Sequence, residues 1–333
     1  MKIQDKFVIE NTLSLPAEAA KGVVINTVDE LQKLVQHPFS KEFDSVALGM
    51  GSNVVVMPFV DKLVISIRIA GISTFKEDNK YYWVRCGAGE NWDFLVRSLL
   101  DKGMYGLENL VMIPGLVGAT PIQNIGAYGV EVSDFIDSVE VVDKNGKKFI
   151  LDSAQCGFGY RSSIFRNSNE FVVSAVIFKL LKKPSIKIDY PELKENFELK
   201  GIRKPTPLEV ADAVSRIRTA KLPNPSDHPN AGSFFKNPFV DVKKAKQLQS
   251  VHPLLKSYPQ EDGVKFSAAQ LIDLDGWKGR SQLTVGCWES QPLVLVNQNQ
   301  ASAKDVLEFA DQITQSIKQS YGISLEIEPS VLS

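Results

Sequence analysis

Ser233 lies in the stretch NAGSFFKNP, Asn230 to Pro238, with Lys236 and Asn237 just behind it. Asn-Ala-Gly-Ser reads as a tight turn, because glycine tolerates a positive φ and Asn and Ser bond back to their own backbone. Phe234 and Phe235 can anchor such a turn to a core. No G-x-S-x-G elbow surrounds the serine, and the chain has only 3 histidines, so a Ser-His-Asp hydrolase finds little support. The hydroxyl can instead donate a proton to a carbanion-like centre where the surrounding field supports it. Arg161 follows a Gly-x-Gly turn and Tyr160 in CGFGYRSSIFR. Its planar fork suits a carboxylate or a phosphate, and a surface ion pair is the alternative. Glu328 stands directly before Pro329 in LEIEPSVL, which taken alone reads as an edge-strand glutamate. Arg218, Lys221 and Lys236 crowd the segment RTAKLPNPSDHPNAGSFFKNP. Cations there suit a diphosphate, although a charge run commonly faces only solvent.

Two glycine-bearing turns follow apolar strands. LGMGSNVVV supplies Gly49, Gly51, Ser52 and Asn53, and IPGLVGATPIQNIGAYG supplies Gly115, Gly118, Gly126 and Gly129. Glycines let backbone N–H groups approach an anion, and Ser, Thr and Asn add donors. Neither turn matches G-x-G-x-x-G or a P-loop, and neither opens a helix, so a Rossmann cofactor domain is disfavoured. One such turn alone reads as a plain hairpin. Two of them, one inside a long irregular stretch from Ile113 to Glu131, point to a dinucleotide pyrophosphate lying across two loops.

The elements that must hold these residues alternate. KGVVIN reads as a strand, TVDELQKLVQHP as a helix with Thr27 as N-cap and Glu30 at the capping-box position, and SVALGMGSNVVVM as strand, turn and strand. KLVISIRI continues the strand signals. YYWVRCGAG is a strand, NWDFLVRSLLDKG a helix capped by Asn91 and closed by Gly103, and SVEVVDKNGKKFIL a hairpin turning at Asn145-Gly146. Charged, proline-punctuated sequence from about 184 to 207 reads as a linker or an inserted excursion. PLEVADAVSRIRTAKLP is a helix stopped by Pro223. The rest mixes helices (SAAQLIDLDG and SAKDVLEFADQITQSIKQSYG) with strands (QLTVGCW, PLVLVNQ and a final ISLEIEPSVL). The order indicates an α+β protein with at least two domains.

Bulk properties narrow the class. At 333 residues, 44% hydrophobic and 23% charged, the chain is an ordinary globular protein of two or three domains. A formal net charge of -1 argues against duplex nucleic acid or an anionic membrane surface as a partner. Cys86, Cys156 and Cys287 are far apart and odd in number, which fits free thiols in a reducing compartment. His37, His228 and His252 show no metal-ligand spacing, so no metal is expected. The first residues carry no long apolar segment, and the apolar run FVVSAVIFKLL is half a membrane span and contains Lys179. A soluble, cytoplasmic protein is expected.

Taken together these segments resemble the UDP-N-acetylenolpyruvoylglucosamine reductases, flavoenzymes of peptidoglycan precursor synthesis. The likeness runs nearly the whole chain: NTL at Asn11, LGMGSN at Leu48, GAGENW at Gly87, GLENL and IPGLVGATPIQNIGAYGVE after Gly106, FGYRSSIF at Phe158, RTAKLPNP at Arg218, NAGSFFKNP at Asn230, AAQLID at Ala268 and LEIEP at Leu325. The insertion bearing YPEL looks like the longer form of the family, in which a tyrosine, here Tyr190, closes over the nucleotide. The resemblance implies two α+β FAD-binding domains of the vanillyl-alcohol-oxidase-like type, at 1–68 and 69–218 with an inserted loop at 184–207. A C-terminal α+β substrate-binding domain would follow at 219–323, and a last strand at 324–333 returns to the first domain.

It also implies residue roles. Noncovalent FAD would be cradled by Gly49, Gly51, Ser52 and Asn53 and by Pro114, Gly115, Gly118, Ala119, Gln123, Asn124, Ile125, Gly126 and Tyr128, with Arg218 nearby. NADPH would be the hydride donor, and UDP-N-acetylglucosamine enolpyruvate the substrate, touched by Tyr160, Tyr190, Lys221, Asn237 and Gln291. Hydride would pass from the flavin to C3 of the enolpyruvyl group, with Arg161 on the carboxylate, Glu328 as a protonated acid and Ser233 delivering the proton to C2. The chain departs from the family where Glu328-Pro329 is followed by Ser330-Val331-Leu332 in place of Glu-Val-Arg, and at Met50 and Gln270. TVGCWESQ lacks a common histidine but keeps Gln291. A flavin oxidase with another substrate and a noncatalytic nucleotide sensor are the competing readings.

Overall fold

Helices begin where the sequence offers a side-chain oxygen to the first orphan amides. In the computed structural model, which describes every residue except Asn167, helix α1 (Val28–Gln36) starts at Thr27, whose hydroxyl accepts the Glu30 N–H at 3.1 Å. Glu30 reaches back to the Asn26 N–H at 2.8 Å, one residue before the position a capping box uses. Helix α2 (Trp92–Asp101) is capped by Asn91 and buries Trp92, Leu95, Val96 and Leu99, an i, i+3, i+4, i+7 stripe.

The chain divides into two compact units: Met1–Phe7, Ala19–Met50 and Asp61–Arg218 form the first, and Val8–Glu18, Gly51–Val60 and Thr219–Ser333 the second. The centre of the first unit is a five-stranded antiparallel sheet ordered Lys148–Asp152, Ile136–Asp143, Phe171–Leu181, Tyr81–Gly87, Ile72–Glu77. Its middle strand is the apolar run FVVSAVIFKLL. A central strand is buried on both faces, which explains an apolar stretch with no alternation. A four-stranded sheet runs Gln4–Val8, Glu18–Ile25, Phe59–Ile67, Ser45–Leu48, the last pair parallel. The strands flanking α1 therefore share a sheet without being neighbours.

The hairpin between Ile136–Asp143 and Lys148–Asp152 forms, with Asn145-Gly146 in its turn and Gly146 at φ 81°. Four residues connect the strands, and the Asp143 carboxylate closes them by accepting the N–H groups of Asn145 (2.9 Å) and Lys147 (2.8 Å). The 184–207 segment contains helix α3 (Pro191–Leu199), whose Leu193 and Phe197 are buried in the core of the first unit. Helix α4 (Pro207–Lys221) follows, with Thr206 and Glu209 exchanging cap hydrogen bonds.

The second unit holds a sheet ordered Asn230–Ser233, Val294–Asn297, Val285–Cys287, Ser281–Gln282, and a three-stranded sheet, Phe239–Val240, Gly263–Phe266, Ser257–Gln260. Val54–Val56 pairs in parallel with Ser330–Leu332. Helices α5 (Val242–Val251), α6 (Ala268–Leu274) and α7 (Ala303–Tyr321) surround a core containing Phe234, Phe235, Phe266 and Phe309. Ser302 and Asp305 complete a capping box on α7. The final strand read from the sequence is shorter in the structure: a single bridge joins Phe235 to Ile327, and regular pairing resumes only at Ser330. Pro329 carries no N–H and interrupts the ladder. Among the described residues no helix is long and apolar enough to cross a membrane, and no group of three His, Cys, Asp or Glu could hold a metal ion.

Candidate active site

In the second unit, the stretch read as a tight turn is a short strand with a bulge. Asn230 pairs with Val296 and Ser233 with Val294, so one extra residue is accommodated between them. Gly232 absorbs it at φ 72°, and the Asn230 side chain braces it by accepting the Gly232 N–H at 2.9 Å. The Asn230 amide also donates to the carbonyls of Pro223 (3.1 Å) and His228 (2.8 Å). Phe234 and Phe235 are 0% and 1% exposed and meet edge to face at 5.5 Å.

Glu328 is brought to this stretch by backbone pairing. Its N–H donates to the Phe234 carbonyl at 2.9 Å, and the Lys236 N–H donates to the Glu326 carbonyl at 2.9 Å. Ser233 and Glu328 thus flank one short antiparallel contact. The Lys236 ammonium pairs with the Glu326 carboxylate, and the Asn237 carbonyl oxygen accepts the Ala268 N–H at the start of α6 (3.0 Å). Both side chains fix the serine's strand to its neighbours. Gln291 lies in the tight connection before Val294–Asn297, where its carbonyl accepts the Val294 N–H at 3.0 Å.

The first glycine-bearing turn, Gly49 to Asn53, changes unit between Met50 and Gly51. Gly51, at φ 63°, passes so close to Glu10 and Asn11 that a Cβ would lie 2.5 Å from the Glu10 carbonyl oxygen, so only glycine fits. The second loop lies wholly in the first unit and is pinned by polar side chains. Asn124, fully buried, donates to the Glu131 carboxylate (2.8 Å) and the Gly159 carbonyl (3.2 Å) and accepts the Ser133 N–H (3.1 Å). The Ser163 hydroxyl donates to the Ile122 carbonyl at 2.8 Å. These bonds clamp the Gly159–Ser163 turn, which carries Arg161, onto the loop. Arg161 itself donates to the Gly126 carbonyl at 2.8 Å and stands over the Tyr160 ring at 5.3 Å. Met112, Asn124, Tyr128 and Arg161 all take positive φ. Such strain costs about 1–3 kcal/mol per residue and gathers where function over-determines the backbone.

Tyr190 is the N-cap residue of α3 and meets the Tyr128 ring edge to face at 5.3 Å. Burial pushes the Tyr128 phenol up to about 12. Arg218, near the end of α4, donates from one terminal nitrogen to the Met112 carbonyl at 3.2 Å. Its Nε is buried and has no hydrogen-bond partner among the described residues. Burial lowers its guanidinium from the ordinary arginine value. A buried cation with an unanswered donor suits a bound anion or carbonyl, which is what the flavin of the sequence reading supplies. The set fits FAD.

Two buried residues in GLENL went unassigned in the sequence. Glu108 accepts the Gly106 N–H at 2.7 Å, and Asn109 donates to the carbonyls of Tyr128 (3.0 Å) and Lys187 (2.9 Å). Nothing in their spacing announces those partners, which are 19 and 78 residues away from Asn109.

Residues 20–152 match a family model described as an FAD binding domain, and residues 224–332 match the C-terminal domain of UDP-N-acetylenolpyruvoylglucosamine reductase. Fold and site therefore define a mixed α/β flavoprotein with an FAD-binding domain and a specialised C-terminal domain. A UDP-N-acetylenolpyruvoylglucosamine reductase from Chromobacterium violaceum is 40% identical over 97% of this chain and 96% of its own length. One from Burkholderia mallei is 42% identical over 97% and 94%. The crystal structure of the Thermus caldophilus enzyme superposes with a TM-score of 0.68 at 26% identity, covering 100% of this chain and 98% of that one. The chain belongs to the UDP-N-acetylenolpyruvoylglucosamine reductase family.

Proposed function

We propose that this chain reduces UDP-N-acetylglucosamine enolpyruvate to UDP-N-acetylmuramate at the expense of NADPH, in the cytoplasm, as a step of peptidoglycan precursor synthesis. The observation that carries the reading is family membership over 97% of the chain; a backbone bond from Glu328 to Phe234, the residue after Ser233, supports it. When bound, noncovalent FAD supplies the two-electron chemistry, accepting hydride from NADPH and giving it to C3 of the enolpyruvyl group. Gly49, Gly51, Ser52, Asn53, the loop from Pro114 to Tyr128 and Arg218 would hold it. We assign 1–68 and 69–218 to two FAD-binding subdomains of the vanillyl-alcohol-oxidase-like type, 219–323 to substrate binding and 324–333 to a strand returning to the first subdomain.

The roles of the side chains follow from charge. Hydride arriving at C3 pushes negative charge onto C2 and the carboxylate. Arg161 clamps that carboxylate with its planar fork. Glu328, protonated, shares the developing charge through a hydrogen bond. Ser233 gives its proton to C2. A serine is a weak acid in water, so the role depends on the buried Phe234 and Phe235 and the Gly232 bulge holding the hydroxyl in place. Tyr160, Tyr190, Lys221, Asn237 and Gln291 would contact the nucleotide sugar.

An absorbance spectrum of the purified protein tests this reading first. Oxidised-flavin bands should be present, should bleach with NADPH under anaerobic conditions, and should return on adding the enolpyruvyl sugar nucleotide. A colourless protein that takes up no flavin would overturn the proposal. Bands that bleach but do not return would indicate a different substrate.

A further inference from the structure

Asn109 is 1% exposed and uses one side-chain amide to hold two carbonyls from distant segments. One belongs to Tyr128, at the end of the cofactor loop, and the other to Lys187, in the inserted segment that leads to Tyr190. The inserted segment is fixed further by the Lys187 ammonium on Asp134 (2.9 Å). Ile186 and Ile188 pack against the core, as do Leu193 and Phe197 beyond Tyr190. Tyr190 itself stays 39% exposed. Its ring rests on that of Tyr128 at 5.3 Å; burial pushes the Tyr128 phenol up, and the charges of Arg218 and Glu192 act on it in opposite senses. The backbone of Tyr128 is held at φ 50°, a conformation that needs external support.

We propose that Asn109 is a positioning residue: by tying the Tyr128 and Lys187 carbonyls together it seats Tyr128 beneath Tyr190, so that flavin and uridine nucleotide each strengthen the other's binding. The inference rests on the assignments of the Pro114–Tyr128 loop to FAD and of Tyr190 to the nucleotide made above. A ligand that orders Tyr128 from the cofactor side removes part of the cost of ordering Tyr190, and linkage makes the effect reciprocal.

The test measures the FAD dissociation constant by flavin fluorescence, with and without saturating UDP. In the wild-type chain UDP should tighten FAD binding by about fivefold or more, the lower end of ordinary coupling. In Asn109→Ala the ratio should fall to within about twofold of unity. A merely structural role would weaken FAD binding equally in both conditions and leave the ratio intact, which would overturn the proposal, as would a wild-type ratio near one. Should Asn109→Ala fail to fold, Tyr128→Leu, which leaves the backbone bond to Asn109 in place but removes the ring, should abolish the ratio; an unchanged ratio there contradicts the inference. A wild-type chain that binds neither flavin nor UDP would overturn the functional reading beneath it.

Discussion

The Ile113–Glu131 loop and the Asn230–Pro238 stretch both set small and amide residues beside candidate site residues, yet they are kept in place by a different balance of means. The loop in the first unit is pinned by buried polar side chains: Asn124, Asn109 and Ser163 each bond to distant backbone. The stretch in the second unit has polar braces too, from Asn230 and Asn237, but its main anchors are two buried aromatic rings and strand pairing with a single glycine bulge. The difference follows from the task proposed for each. A loop that presents backbone to an anionic cofactor keeps only a short ladder, here Gly126–Ala127 with Val130–Glu131, so side chains shape much of the rest. A strand that must place one hydroxyl can keep its ladder and rely on apolar burial for stiffness.

Phe234→Ala should give the largest effect on stability, about 3–5 kcal/mol, because it empties a fully enclosed site. Denaturant titration reads the loss, and flavin affinity at a fixed folded fraction should barely move. A large loss of flavin affinity with little loss of stability would reverse the comparison. Asn124→Ala should do the opposite: about 1–3 kcal/mol of stability for its orphaned partners, together with a loss of flavin affinity of about tenfold or more, since 1.4 kcal/mol is tenfold in affinity. Equal flavin affinity in this variant would mean that the clamp on the Arg161 turn does not shape the cofactor loop.

How far the sequence revealed each region differs in the same way. The Phe234-Phe235 anchor and the positive φ at Gly232 were legible because burial of aromatics and the freedom of glycine are local properties. The bulged strand itself was not, since its partner, Val294–Asn297, lies some sixty residues away. In the loop, Asn124 was singled out only through the resemblance to a family. The pairing of Asn109 with Tyr128 and Lys187 was invisible, because one amide serving two remote carbonyls leaves no periodic trace. Helix caps at Thr27 and Asn91 were readable for the converse reason: a cap and its target lie three residues apart.

Smaller effects sharpen the comparison further. Tyr190→Phe keeps the ring contact with Tyr128 and removes one hydroxyl, so binding of the sugar nucleotide should weaken roughly two- to tenfold, the worth of one hydrogen bond. Calorimetric titration with an unchanged dissociation constant would remove Tyr190 from the substrate site. Glu108→Gln should give the smallest change. Burial raises the folded Glu108 carboxyl above its ordinary 4.5, so the folded state holds this proton more tightly than the unfolded chain does. The contribution of this group is therefore full at low pH and is lost as pH rises from about 4.5 through the folded value. Glutamine can still accept the Gly106 N–H, so the variant should be neutral to slightly stabilised at pH 7. Its stability should fall less between pH 5 and 8 than that of the wild type, a difference urea titrations can resolve. Parallel pH profiles would contradict the assignment.

The central claim is that Ser233 is the proton donor to C2, and rapid mixing of Ser233→Ala under anaerobic conditions tests it most directly. The account predicts that NADPH bleaches the flavin absorbance at the wild-type rate, while its return on adding the enolpyruvyl sugar nucleotide slows by about 10²–10⁴-fold, the usual contribution of a positioned proton donor. Equal slowing of both phases would contradict it and assign Ser233 to the geometry of the cofactor site instead.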